Sequence, residues 1–155
     1  MVTTNIQIQT IQTGHVALNV CDLDRSKRFY QDLFGFQVMG ESQTEDRRYA
    51  FLGDGKRLVL ALWQQSDGRF GKRQPGLHHL SFQAETMEQV EAYRDKLREL
   101  NVELEYEGIV PHGEGMASGG IYFEDPDGIR LEIYSPTGAE DRAAPVSDAP
   151  TCGFF

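Results

Sequence analysis

Gly14-His15-Val16-Ala17-Leu18-Asn19-Val20 alternates between apolar and polar or small side chains. That two-residue period is the mark of a strand with one buried face. The pattern returns 64 residues later in Leu77-His78-His79-Leu80-Ser81-Phe82-Gln83-Ala84, where His79 takes the position of His15, Phe82 that of Leu18 and Ala84 that of Val20. The same offset pairs Phe29 with Tyr93 and Leu33 with Leu97 in the segments that follow. Self-similarity at a fixed offset predicts a duplicated structural unit.

Each copy reads the same way outward from its first strand. In the first, Asp22 or Asp24 is the expected N-cap of a helix with Leu23, Phe29, Tyr30, Leu33 and Phe34 on its apolar face, and Gly35 ends it. Strands are expected at 36–41, 47–52 and 57–63, the last two joined by Gly53-Asp54-Gly55. In the second, a strand is expected at 77–84. Thr86 then caps a helix running to Leu100, with Val90, Tyr93, Leu97 and Leu100 on its apolar side. Strands at 102–106, 119–124 and 130–135 complete the copy, with Asp125-Pro126-Asp127-Gly128 as the final turn. Near the ends of the two copies, Asp54-Gly55-Lys56-Arg57-Leu58 aligns with Asp127-Gly128-Ile129-Arg130-Leu131 at an offset of 73, which pairs Glu132 with Val59.

The expected fold is therefore α+β: two βαβββ modules, at 14–66 and 77–136, forming a curved mixed sheet around a cleft. Residues 1–13 are an N-terminal extension and 67–76 a Gly- and Pro-containing linker. The tail, 137–155, is rich in Ala, Pro and Asp and would be disordered by itself, with its terminal aromatics free to dock on a partner or over the cleft.

Composition narrows the partners. The 155 residues carry 24 acidic against 15 basic side chains, a net charge of −9, which argues against nucleic acid or an anionic membrane. No apolar stretch approaches the ~18–20 residues of a membrane span, and the polar N-terminus lacks the apolar core of a signal peptide. Cys21 and Cys152 have no metal or redox spacing and are expected as reduced thiols in a cytoplasmic protein.

Three polar residues stand out on the repeat. His15 and His79 open the equivalent first strands, and Glu132 sits between Leu131 and Ile133 on the last strand. If a pseudo-two-fold axis relates the modules, two imidazoles and one carboxylate meet across the cleft and leave open positions on a bound ion. Such a set suits Fe(II), although Mn, Co, Ni or Zn could occupy it. His78 points to the opposite face of a regular strand and is assigned away from the ligand set.

The set Gly14-His15-Val16-Ala17-Leu18-Asn19-Val20, Asp22-Leu23, Ser26, Phe29-Tyr30, Leu77-His78-His79-Leu80-Ser81-Phe82, Tyr122-Phe123-Glu124-Asp125-Pro126-Asp127-Gly128 and Arg130-Leu131-Glu132 resembles the vicinal oxygen chelate superfamily. That superfamily includes glyoxalases, bleomycin-resistance proteins and extradiol dioxygenases. The resemblance implies a metal-dependent enzyme that binds a small substrate through adjacent oxygens. Glyoxalase I and methylmalonyl-CoA epimerase members use a further polar residue in the last strand of module one, which here reads Leu58-Val59-Leu60-Ala61-Leu62. Fosfomycin-modifying members often carry Thr two residues after the first His, where this chain has Ala17.

Extradiol dioxygenases keep three ligands and a Tyr ten residues before the ligand Glu, as Tyr122 is before Glu132. They also carry a His near the position of His112, and the resemblance implies catalytic roles for Tyr122 and His112. Their acid/base His upstream of the second ligand is replaced by Gln64 and Gln65. Trp63 reads either as a stacking wall for an aromatic substrate or as core. The leading expectation is an extradiol-type dioxygenase. A redox-neutral lyase or isomerase and a non-catalytic binding protein are the alternatives. A homodimer is expected, and whether the modules pair within one chain or swap across the dimer stays open.

Overall fold

A computed structural model describes residues 10–153. Most of the N-terminal extension and the terminal aromatics Phe154 and Phe155 lie outside the described residues. The first sheet contains β1 (Val16–Val20), β2 (Gln37–Thr44), β3 (Arg47–Gly53) and β4 (Leu58–Gln64) in the order β1-β4-β3-β2, with α1 (Leu23–Phe34) crossing from β1 to β2. The second repeats it with β5 (Leu80–Gln83), α2 (Met87–Glu99), β6 (Val110–Pro111), β7 (Gly119–Glu124) and β8 (Arg130–Ser135), in the order β5-β8-β7-β6. In both sheets the first strand runs parallel to the last and the other ladders are antiparallel. These are the two βαβββ modules expected from the repeat.

Local chemistry sets the helix ends. The Asp22 side chain accepts from Arg25 N and caps α1, and Thr86 caps α2 by accepting from Gln89 N. Gly35 closes α1 at φ 70, a left-handed conformation that costs a glycine little, and donates its N–H to Gln31 O at 2.8 Å. Leu23, Tyr30 and Leu33 bury against the Leu18, Val20, Leu52, Leu60 and Leu62 face of the first sheet. Val90 and Leu97 do the same against Ile121, Phe123, Leu131 and Ile133 in the second. Each fully buried aliphatic of this kind contributes about 1.5–3 kcal/mol. Among the described residues no helix is long and apolar enough to cross a membrane.

Three sequence expectations change. The first strand of module two begins at Leu80 rather than at residue 77, so His78 and His79 sit in the approach to β5. The strand expected at 102–106 reduces to a single bridge between Leu104 and Phe123. The chain then loops out at Glu107-Gly108 and regains the edge of β7 as β6, pairing Val110 with Gly120. The alternation of Val102, Leu104 and Tyr106 is real, but it serves packing more than a ladder.

The third change is the register of Glu132. Val16 pairs with Leu60 and Leu80 with Leu131, so the last strands of the two modules are related by 71 residues and the counterpart of Glu132 is Ala61, not Val59. The two hairpins span equal lengths, from Leu52 to Leu60 and from Phe123 to Leu131, so Asp54 is equivalent to Asp125 and the Asp-Gly dipeptides at 54–55 and 127–128 are out of register. The matching turn residues are the aspartates themselves. Asp54 Oδ1 accepts from the backbone N–H of Lys56 and Arg57, and Asp125 Oδ1 from those of Asp127 and Ile129.

The β7–β8 turn also joins the modules. Asp127 Oδ2 accepts from Cys21 N at 3.1 Å and Ser26 Oγ at 3.4 Å, while its Oδ1 accepts from Arg25 at 2.5 Å. Tyr30 Oη donates to Asp125 Oδ2 at 2.9 Å inside the protein. At the other end of α1, Phe34 meets Phe82 and Tyr93 of module two at centroid distances of 4.4 and 5.7 Å. The linker follows the same turn, with Phe70 N donating to Asp127 O and Arg69 and Lys72 paired to Glu124. Replacing Asp127 by Ala leaves the buried Ser26 hydroxyl and the start of α1 without their acceptor, at an expected cost of about 2–3 kcal/mol. Urea unfolding checks this. A loss below about 0.5 kcal/mol, the range of a neutral surface change, would mean that the turn does not hold the modules.

Candidate metal centre

Three adjacent strands of module two place one polar residue each in a single row. Glu132 on β8 lies opposite Ser81 on β5 and opposite Tyr122 on β7. Directly opposed residues share a face of the sheet, so these side chains converge. The corresponding row of module one is Ala17, Ala61 and Phe51. One module thus carries a polar row where its twin is apolar.

Glu132 is the centre of the row, with only 4% of its side chain exposed. A carboxylate so buried requires partners. His79 Nε2 lies 3.4 Å from its Oε2, and His112 Nε2 lies 2.5 Å from its Oε1. Burial acts to raise the Glu132 pKa, but hydrogen bonds from His112, His79 and Ser81 outweigh it and hold the carboxyl well below the ordinary range. The group is therefore an anion at neutral pH. The Tyr122 hydroxyl is fully buried beside it. Burial first, and then the charge and hydrogen bond of Glu132, push the Tyr122 pKa far up, so the phenol stays protonated and acts as a donor.

His112 is not free on a surface loop. Its N–H donates to Ser118 O at 2.9 Å, and its Nδ1 lies 2.8 Å from Ser118 Oγ. The ionised Glu132 carboxylate can only accept, so His112 Nε2 donates to it, and the Ser118 hydroxyl lies against Nδ1. His78 is exposed, and its Nδ1 lies 2.8 Å from His79 Nδ1, which leaves His79 Nε2 toward Glu132.

His15 is elsewhere in the chain. It is exposed and borders a cavity of about 440 Å³ between β1 and β5, together with Val59, Leu80 and Ser81. Among the described residues, no three His, Cys, Asp or Glu side chains form a ready metal-ligating group within one chain. The structure thus brings together His79, Glu132, Tyr122 and His112, whereas His15 joins no ligating group with them and shares only a cavity that Ser81 also borders. Gln64 Oε1 accepts from Leu23 N at 2.9 Å, so it serves the start of α1. Trp63 lies in a half-buried aromatic group with Tyr49 and Phe51, at centroid distances of 5.0 and 6.1 Å.

Two members of the site were not legible as such in the sequence. Ser81 becomes visible only through the β5–β8 register. Thr151, from the tail, is fully buried, and its turn brings Cys152 within electrostatic range of Glu132 and Tyr122. Nothing in the local sequence marks either residue.

Comparison with known proteins agrees with this architecture. The chain is 27% identical over 124 residues to the catechol-2,3-dioxygenase of Bacillus subtilis, covering 79% of this chain but only 40% of that longer protein. It is 33% identical over 135 residues to the metallothiol transferase FosB of Staphylococcus saprophyticus, covering 87% of this chain and 82% of the relative. A glyoxylase/bleomycin resistance protein/dioxygenase domain from Frankia sp. EAN1pec superposes with a TM-score of 0.68 at 25% identity, over 82% of this chain and 98% of that one. Residues 12–133 match the family as a whole, and the chain belongs to the Glyoxalase/Bleomycin resistance protein/Dioxygenase superfamily.

Proposed function

We propose that this chain is a divalent-metal-dependent enzyme that binds a small organic substrate through two adjacent oxygens, and that its reaction is extradiol-type ring cleavage by O₂. The observation that carries the reading is the polar row Ser81, Glu132 and Tyr122 with His79 and His112 bonded to its central carboxylate. The residues fit a divalent cation. Glu132 is an ionised, buried oxygen donor, and His79 turns Nε2 toward it. The ligand set is His15, His79 and Glu132. Because His15 stands apart from the other two within one chain, a second copy supplies it and the enzyme works as a homodimer.

When bound, Fe(II) supplies Lewis acidity toward the substrate oxygens and redox capacity toward O₂, while Mn, Co, Ni or Zn supply the first alone or in other measure. The chain's own groups do the rest. Tyr122, whose single proton goes to Glu132 in this arrangement, would turn it to a substrate oxyanion once the carboxylate is taken up by the cation, and so stabilise charge as it develops. His112 is the imidazole that the row offers for proton exchange, since Gln64 is committed to α1. Tyr49, Phe51 and Trp63 form an aromatic surface on the module-one sheet against which a planar ring can stack. Ala61, the counterpart of Glu132, brings no further carboxylate, which favours this reading over a glyoxalase-like isomerase. Both cysteines are free thiols, in keeping with a cytoplasmic enzyme.

Metal analysis tests the ligand set. His15→Ala, His79→Ala and Glu132→Ala should each lose bound metal, and mixing the His15→Ala and Glu132→Ala chains should restore it by forming one intact site per mixed dimer. Loss in each variant without restoration on mixing would return the site to a single chain. Retention in His15→Ala with loss in His112→Ala would make His112 the second nitrogen ligand.

The reaction is tested with the Fe(II)-loaded protein, a panel of catechols and an oxygen electrode. Oxygen uptake with ring opening is expected, and Tyr122→Phe should lower kcat about 10²-fold while leaving metal content intact. Turnover of hemithioacetals without oxygen uptake would move the assignment to a redox-neutral isomerase. Ligand binding that persists after chelation, with no turnover, would make it a binding protein.

A further inference from the structure

The tail does not hang free of the site. It leaves β8, buries Ala139 with its N–H on Ala117 O, and pairs Arg142 with Glu91 of α2. Gly119 makes the docking possible, because a Cβ there would meet Ala139 Cβ at 2.7 Å and Val110 O at 2.5 Å. Among the described residues the tail runs to a one-turn 3-10 helix, Thr151–Gly153, set between Tyr106 and the end of β6.

Thr151 is fully buried and donates to the backbone carbonyls on either side of the His112 Cα. Its Oγ1 donates to Pro111 O at 2.6 Å, and its N–H donates to His112 O at 2.8 Å. Tyr106 Oη in turn donates to Thr151 O at 3.2 Å, and the Tyr106 ring stands edge-on to Tyr122 at 5.6 Å. On the other side, Ser118 holds the His112 N–H and Nδ1. The imidazole that touches Glu132 is therefore held at its ring by Ser118 and at its backbone by Thr151.

We propose that Thr151 is a positioning residue of the metal centre, acting through His112 to fix the orientation of the Glu132 carboxylate. This rests on the reading of Glu132 as a metal ligand and deepens it. The match to the family model ends at residue 133, short of the C-terminal turn. A carboxylate ligand depends on its hydrogen-bonding neighbours for its orientation, and disturbing such a neighbour weakens metal binding about 10–100-fold. Thr151 is one contact further out, so the lower end of that range is expected.

Four forms of the full-length protein provide the test: wild type, Thr151→Val, Thr151→Ser and Glu132→Ala. For each, Mn(II) affinity, the visible spectrum of the Co(II) form and thermal stability are measured. Thr151→Val, which keeps the shape and removes the donor, should weaken Mn(II) binding about tenfold and alter the Co(II) bands. Thr151→Ser should recover both. A parallel loss of stability in Val and Ser, with affinity unchanged, would make the turn purely structural and overturn the proposal. So would wild-type affinity and spectrum in Thr151→Val while Glu132→Ala loses the metal, a result that leaves the ligand assignment standing. If Glu132→Ala binds Mn(II) as wild type does, the ligand assignment itself fails, and the positioning role falls with it. Deleting residues 150–155 gives a second route to the same readout and should reproduce or exceed the Thr151→Val effect.

Discussion

The turn between β7 and β8 carries two buried carboxylates, and most of the molecule depends on where they sit. Asp125 folds the turn back on itself through its own backbone N–H partners and takes the Tyr30 hydroxyl from module one. Asp127 receives the start of α1 through Cys21 N, Ser26 and Arg25. Buried carboxylates are costly when unpaired, so each partner is required by the others. The same turn fixes the antiparallel register that sets Tyr122 opposite Glu132. The contact that joins the modules therefore also builds the site, and neither can shift without the other.

Duplication explains the rest of the site by contrast. Both modules use the same arrangement of strands, and both bury the helix-facing side of the sheet with aliphatic residues. They differ on the opposite face. In module one the row Ala17, Ala61 and Phe51 demands no hydrogen bonds. In module two the row Ser81, Glu132 and Tyr122 supplies a donor on each side of a buried anion, with His79 and His112 closing the ends. A scaffold stable with an apolar row can carry a polar one in its second copy, provided that every polar atom is satisfied. The broken edge strand follows the same logic. By looping out at Glu107-Gly108, the chain regains the edge at β6 and delivers His112 to the end of the row.

The tail extends this satisfaction of polar groups beyond the repeat. It covers the β6 edge, which would otherwise present open backbone groups to solvent. In doing so it brings a buried threonine to the peptide that carries His112. Edge protection and site support come from one segment, and the small residues Gly119 and Ala139 are what let it approach.

How much was legible in the sequence follows from the range of the forces involved. The alternation in Val16-Ala17-Leu18-Asn19-Val20, the caps Asp22 and Thr86, the stop at Gly35 and the 64-residue echo are local or periodic. Local and periodic signals survive in one dimension, so the two βαβββ modules and the prominence of His79 and Glu132 could be read directly. Register could not. The match of Asp54-Gly55 to Asp127-Gly128 suggested Val59 as the twin of Glu132, whereas the ladders assign Ala61, because the turn residue equivalent to Asp54 is Asp125 and the Asp-Gly echo at 127–128 is out of register with it. The strand expected at 102–106 failed similarly, since alternation reports a buried face and not the presence of a ladder partner. The contacts of Ser81 with Glu132 and of Thr151 with Pro111 join residues 40 or more positions apart. The sequence by itself determined the duplicated modules and singled out His79 and Glu132 as polar residues on otherwise apolar strands. Only the tertiary structure decided that His112, Ser81 and the tail converge on Glu132 while His15 does not, because a buried carboxylate selects its partners by distance in space.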